Sequence, residues 1–153
     1  MSTPAKRRLM KDLKTLQNES DDTIFATPFE ENIQLWCAVI LGPTGTIFEG
    51  GTFSLTLKFK DTYPITPPEI RFISKMFHPN IYEDGSLCLD LLQMKWSPTY
   101  DVYGILVSIQ SLLDDPNVNS PANIKAAELF TNDIEAYKEK VRETVKLSWM
   151  DVI

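Results

Sequence analysis

Thr52-Phe53-Ser54-Leu55-Thr56-Leu57-Lys58-Phe59 alternates polar and apolar side chains without a break. A period of two over eight residues predicts a half-buried antiparallel strand, with Phe53, Leu55, Leu57 and Phe59 on one face. Upstream, Gly50-Gly51 and Gly42-Pro43 are turn signals that bracket a connection. Before them Ile33–Leu41 alternates again, with Leu35, Cys37 and Val39 on one face and Trp36, Ala38 and Ile40 on the other. Cys37 has no polar neighbours there and reads as a core residue. Ile24–Phe29 is a shorter strand, and Glu69–Ile73, after the proline-stiffened Tyr63-Pro64-Ile65-Thr66-Pro67-Pro68, is a fourth. Four strands in series predict a meander.

Helical patterns flank the meander. A first helix is predicted from about Pro4 to Glu19, capped by Thr3, with Pro4 at a position that needs no amide donor. Leu9, Leu13 and Leu16 form its apolar stripe, and the basic residues fall largely off it, toward solvent or a partner. Near the other end, Asp101 caps a helix carrying Val102, Ile105, Leu106, Ile109, Leu112 and Leu113, apolar enough to be central. Gly104 weakens it by ~1 kcal/mol relative to alanine. Asp114-Asp115-Pro116-Asn117 stops it, Ser120-Pro121 starts a short helix through Phe130, and Asn132 with Glu135 caps a last helix through Trp149. With no repeat, low-complexity segment or linker, residues 1–153 read as one α+β domain: helix, four-stranded antiparallel meander, irregular loop, three helices.

Composition narrows the class. At 153 residues the chain can bury a core of ordinary size, and 43% hydrophobic with 24% charged residues is the balance of a soluble globular protein. No apolar run reaches the ~18–20 residues of a membrane span, and Met1–Met10 is too charged for a signal peptide. Cys37 and Cys88, 51 positions apart, offer neither a disulfide framework nor a zinc spacing, so no metal is expected and a reduced, intracellular setting is. A net charge of -6 argues against nucleic-acid binding by the fold as a whole. Lys6, Arg7, Arg8, Lys11 and Lys14 nevertheless gather in the first helix against Asp12 alone. Such a run is either a solvated face or a docking face for an acidic partner.

The chemistry sits between meander and helices, in His78-Pro79-Asn80-Ile81-Tyr82-Glu83-Asp84-Gly85-Ser86-Leu87-Cys88-Leu89-Asp90. Pro79 and the Asp84-Gly85 turn exclude a helix, and the segment is too polar for a core strand. It holds the only histidine, one thiol, the Asn80 amide and the Asp90 carboxylate. An ordered polar loop presenting one thiol suits nucleophilic chemistry, though a cysteine between Leu87 and Leu89 also reads as a small buried hydrophobe. For Asn80 a loop-tying bond to its own backbone stands beside a donor role toward an oxyanion. A Cys–His hydrolase is the rival mechanism. Against it, His78 precedes a proline and has no third group to orient it, so a structural histidine pinning the loop is favoured.

His78-Pro79-Asn80, Cys88-Leu89-Asp90, Trp96-Ser97-Pro98, Tyr63-Pro64 and Pro67-Pro68 together resemble the catalytic core of ubiquitin-conjugating enzymes, in order and over the whole chain. Met1–Leu13, Cys88–Gln93, Ser97–Val102, Ser108–Asn117 and Ser120–Asn123 are similar to the member that serves post-replication DNA repair and histone monoubiquitylation. The resemblance implies that Cys88 receives the ubiquitin C-terminus as a thioester from an ATP-driven activating enzyme, so ATP is used there and no cofactor is bound here. Asn80 would stabilise the oxyanion when an amine attacks, and Asp90 is the first candidate to orient that amine and take its proton. Ser120 stands where some relatives place an acid near the incoming lysine; followed by proline, it is also a candidate phosphorylation site. Arg7, Arg8 and Lys11 would dock the activating enzyme. The end of that helix, Ile65 and the Ser97-Pro98-Thr99 loop would bind a RING-type ligase. Ubiquitin and substrate proteins complete the expected partners, without nucleic acid or membrane, for a monomer of cytoplasm and nucleus.

Some positions depart from that pattern. Phe25 stands where a small polar residue is usual, on the sheet face opposite the active site, which argues against non-covalent ubiquitin binding there. Glu83-Asp84 adds charge to the loop, and the chain stops at Ile153 without the acidic tail some relatives carry. Two further readings remain: a non-catalytic adaptor of the same fold, and a carrier of a different ubiquitin-like modifier. Cys88, Asn80 and the intact Trp96-Ser97-Pro98 segment argue against the adaptor.

Overall fold

The computed structural model describes residues 2–150; Met1, at the charged amino end, and Ile153, where the chain stops, lie outside them. The elements run α1 (Pro4–Gln17), β1 (Ile24–Phe29), β2 (Asn32–Leu41), β3 (Thr52–Lys58), β4 (Glu69–Phe72), α2 (Val102–Asp114), α3 (Ile124–Asn132) and α4 (Ile134–Ser148). A single turn of 3-10 helix interrupts the long loop at Asp90–Leu92. The α+β order read from the sequence is the one adopted, with the strands in antiparallel sequence β1-β2-β3-β4.

The register decides which face is buried. Ile40 pairs with Ile24 and Phe53, Ala38 with Ala26 and Leu55, and Trp36 with Pro28 and Leu57. Trp36, Ala38, Ile40, Phe53, Leu55 and Leu57 are therefore buried together on the inner face. Cys37 falls on the other face, opposite Thr27 and Thr56, and is half-buried. The reading of Cys37 as a core residue is corrected: strict alternation leaves only one face per strand for the core, and tryptophan takes it. Phe25 shares that outer face, opposite Val39, and is 51% exposed.

α2 packs across α1 and the inner face of β1 and β2, burying Val102, Ile105, Leu106, Ile109 and Leu113. Asp101 caps it as expected, its Oδ1 accepting the Gly104 amide at 2.8 Å. α1 starts at Pro4, with Thr3 Oγ1 accepting from the Lys6 amide. Its stripe differs from expectation: Ala5, Leu9, Asp12 and Leu16 are buried, and Leu13 lies half-buried at the edge. α4 is fastened to the sheet where Thr52 N donates to Ser148 Oγ at 3.0 Å and Thr52 Oγ1 donates to Ser148 O at 3.1 Å.

Two helix starts are corrected. α3 begins at Ile124 and not at Ser120-Pro121, because Asn123 Oδ1 caps it, accepting from Ala126 N at 3.0 Å. The backbone amides of Ala122 and Asn123 both donate to Pro79 O, at 2.8 and 3.0 Å, which keeps this stretch out of the helix. α4 is capped by Asp133, accepting from Ala136 N, one residue later than the Asn132 reading. Asn123→Ala is expected to cost about 1 kcal/mol, a melting-point drop of roughly 2–4 °C, whereas Ser120→Ala stays within about 0.5 kcal/mol. Urea and thermal unfolding of the two variants decide it; the reverse order of effects restores Ser120 as the cap.

Candidate functional site

The loop after β4 folds back on itself as a short hairpin. Ile81 bridges Leu87, and Arg71 of β4 bridges Ser86. Tyr82 N donates to Ser86 O and Cys88 N donates to Asn80 O at 2.8 Å. A separation of eight residues is thereby closed to one hydrogen bond, which sets Asn80 beside Cys88. The turn is Glu83-Asp84-Gly85. Gly85 has φ of 92°, and its carbonyl accepts from Phe72 N; a side chain there would meet the Phe72 carbonyl oxygen at 2.1 Å. Asp84 closes the turn by accepting from Ser86 N at 2.9 Å and Ser86 Oγ at 2.6 Å, and Arg71 lies 3.6 Å away. The Ser86 bonds hold the Asp84 carboxyl below the usual carboxylate range.

His78 anchors this hairpin from beneath. It is fully buried. Its Nε2–H donates to Leu112 O in the last turn of α2 at 2.7 Å, and its Nδ1 accepts from Asn80 N at 3.0 Å. That pattern fixes the neutral Nε2–H tautomer, and burial first of all pushes the imidazole down to about 4. With both nitrogens held by backbone, His78 is no base for a thiol, and the hydrolase reading fails. Asn80, 2% exposed, uses its amide in the same way: Nδ2 donates to Asn117 O at 2.7 Å, and Oδ1 accepts from Asn117 N at 2.8 Å. The Asp115–Asn123 connection is thus laid along the Cys88 loop by Pro79 and Asn80. The second Nδ2 hydrogen of Asn80 is left for another acceptor.

Around this frame lie the other candidates. Cys88 is half-buried, neither sealed nor fully open. Asp90, exposed, begins the 3-10 turn two residues on, and Ser120 is exposed in the Asp115–Asn123 connection, three residues before the α3 cap. Ile65 is 71% exposed. Pro98 and Thr99 are exposed, and Ser97 and Thr99 join hydroxyls at 2.8 Å. On α1, Arg7 and Lys11 face solvent. Arg8 does not: it donates to Asp12, Pro98 O and Tyr100 O and is an internal tie more than a free charge. Asn117, Asp12 and Tyr63 were missed as site residues. Only Asp12 carried a signal, since it falls on the Ala5-Leu9-Leu16 stripe. Among the described residues no three His, Cys, Asp or Glu side chains gather as metal ligands.

A half-open thiol, an amide and a carboxylate on a pinned loop suit acyl transfer, and comparison with known proteins agrees. The family model for ubiquitin-conjugating enzymes matches residues 8–145. The chain belongs to the ubiquitin-conjugating enzymes. Relatives named ubiquitin-conjugating enzyme E2 2 are similar throughout: one from Candida albicans is 55% identical over 151 residues, 99% of this chain and 84% of the relative. One from Debaryomyces hansenii is 56% identical over 149 residues, 97% of this chain and 89% of the relative. One from Fusarium solani is 53% identical over 151 residues, 99% of this chain and all of the relative. Ubiquitin-conjugating enzymes are transferases that work through a thioester, and membership implies ubiquitin, an activating enzyme and a ligase as partners.

The buried imidazole makes stability depend on pH in a stated direction. Folded His78 titrates near 4 and an unfolded histidine near 6.5, so between those values the unfolded chain holds the extra proton. Stability therefore falls as pH drops from about 6.5 to about 4, by up to roughly 3 kcal/mol, and this contribution levels off below. Urea midpoints of wild type and His78→Gln across that window isolate it. Equal slopes in the two proteins would sink the assignment.

Proposed function

We propose that Cys88 carries the ubiquitin thioester and hands it to a substrate lysine, with Asn80, Asp90 and Ser120 serving the second step. The carrying observation is the Cys88–Asn80 backbone bond, which ties the residue bearing a half-open thiol to one whose buried amide has one donor hydrogen to spare. Loading exchanges one thioester for another and is close to thermoneutral, and a thiol is intrinsically nucleophilic. Transfer to an amine is harder. A lysine at pKa ~10.4 costs about 4.6 kcal/mol to deprotonate at pH 7. In this reading the exposed Asp90 and Ser120 serve such an amine, Asp90 orienting it and accepting its proton. Phosphate on Ser120 would add ~1.5–2 negative charges there.

The remaining surface suits protein partners. Arg7 and Lys11 present positive charge to an activating enzyme. Ile65 with Ser97, Pro98 and Thr99 offers an apolar and hydroxyl surface to a RING-type ligase. The reading as the enzyme of post-replication DNA repair and histone monoubiquitylation, in nucleus and cytoplasm, rests on the quoted motifs and on the E2 2 relatives; transfer to histones in reconstituted nucleosomes tests it.

With ubiquitin, its activating enzyme and ATP, a non-reducing gel should show one added ubiquitin that reductant removes. Cys88→Ser should give a reductant-resistant ester and Cys37→Ser an unaltered thioester; a thioester surviving in Cys88→Ser refutes the assignment. Asn80→Ala should still load, yet discharge to free lysine ~100-fold or more slowly, the range for losing an oxyanion donor. Single-turnover chase of the loaded protein measures this, and an unchanged rate would leave Asn80 only its hold on Asn117.

A further inference from the structure

α1 and the two segments of the presumed ligase surface meet at one carboxylate. Asp12 is 2% exposed, so no partner reaches it. It accepts from the Tyr63 hydroxyl on one side and from Arg8 Nε, at 2.8 Å, on the other. Arg8 continues the chain: Nη1 donates to Pro98 O at 2.7 Å and Nη2 to Tyr100 O at 2.9 Å, with the guanidinium 5.6 Å from the Tyr63 ring centroid. Tyr63 directly precedes Pro64-Ile65, and the Pro64 carbonyl accepts from Trp96 Nε1 at 3.0 Å. Trp96 packs against Tyr63 and Tyr100. Asp12 therefore links the two halves from beneath, to the Ile65 side through a phenol and to the Ser97–Tyr100 side through a guanidinium, alongside Trp96, which spans them directly.

We propose that Asp12 is a positioning residue for ligase-dependent transfer: it fixes Arg8, Arg8 fixes the Ser97–Tyr100 loop, and Tyr63 fixes Ile65 relative to both. This rests on the reading of Ile65 and Ser97–Thr99 as the ligase surface. The loop's own backbone supplies one internal bond, Tyr100 N to Ser97 O at 3.1 Å, so the Pro98 and Tyr100 carbonyls depend on Arg8 for their orientation. A planar guanidinium holds the two carbonyls and the carboxylate in one fixed fork, whereas a lysine ammonium offers three donors with no such fixed geometry. Arg8 thus acts through its shape, and its charge is balanced by Asp12.

Asp12→Asn and Tyr63→Phe keep side-chain volume and alter only buried groups. For both, the concentration of a RING domain giving half-maximal discharge of the Cys88 thioester should rise about 3- to 10-fold, the range of a lost side-chain hydrogen bond. The RING domain is one chosen because it discharges the wild-type thioester. Thioester formation and ligase-free discharge to lysine should stay within about twofold. Arg8→Lys should reproduce the ligase defect although it keeps the charge. Amide hydrogen exchange at Ser97, Thr99 and Tyr100 should quicken in Asp12→Asn and Tyr63→Phe. Half-maximal RING concentrations within twofold of wild type, equal loss of loading and ligase-free discharge, or unchanged exchange in the loop would each overturn the proposal. The exchange arm uses no ubiquitin, so it separates failure here from failure of the transfer reading.

Discussion

Both ring nitrogens of His78 are bound to backbone, one to the last turn of α2 and one to Asn80, and the placement of Cys88 follows from that pair. A loop without a full ladder must satisfy its polar groups from side chains. Here a neutral imidazole in a dry pocket against Phe48 bridges a helix carbonyl to a loop amide. The same loop residue then clasps Asn117 with its own side chain and Cys88 with its carbonyl. Remove the imidazole, or charge it, and the Asn80 amide loses its acceptor. Asn117 and Cys88 would then be held by a group that is itself unheld.

That construction leaves the thiol without an attendant base, which suits its chemistry. An acyl carrier has to survive between loading and transfer, and a strong base beside the thioester would activate water as readily as an amine. The held groups of the loop are a buried amide and backbone dipoles, the kind of group the proposed oxyanion role of Asn80 requires. In the proposed reading, the exposed carboxylate of Asp90 and the buried amide of Asn80 divide the moving of protons from the stabilising of charge.

Much of this was legible in the sequence because it rests on periodicity and punctuation. Alternation in Thr52–Phe59 and Ile33–Leu41 gave the strands, and Thr3 and Asp101 gave two helix starts. What escaped was whatever depends on contacts between distant segments. Ser120-Pro121 is a good local cap signal, but Pro79, more than forty residues away, takes the amides of Ala122 and Asn123 and moves the start to Asn123. Cys37 and Trp36 are equally apolar in pattern, and only the packing of α1 and α2 on one face chooses between them. Arg8 read as a surface charge because long-range carbonyl partners leave no trace in local spacing. The loop itself was recognisable from its residue types, whereas the role of Asn117 was not, since a backbone carbonyl and amide have no residue identity.

Two clamps hold the outward-facing loops of this small fold. On one side His78, Pro79 and Asn80 fasten the thiol loop to the end of α2; on the other Asp12, Arg8, Tyr63 and Trp96 fasten the Ile65 and Ser97–Tyr100 segments to α1. Each clamp joins buried side chains to loop backbone, so the loop side chains remain free to face outward. Ile65 and Thr99 are exposed on such loops, and Arg7 and Lys11 on the outer face of α1. A loop already held in this way needs less ordering if a partner binds it, so less affinity is lost to fixing it. In the proposed reading, partner identity resides in exposed side chains, while geometry resides in the side chains packed beneath them.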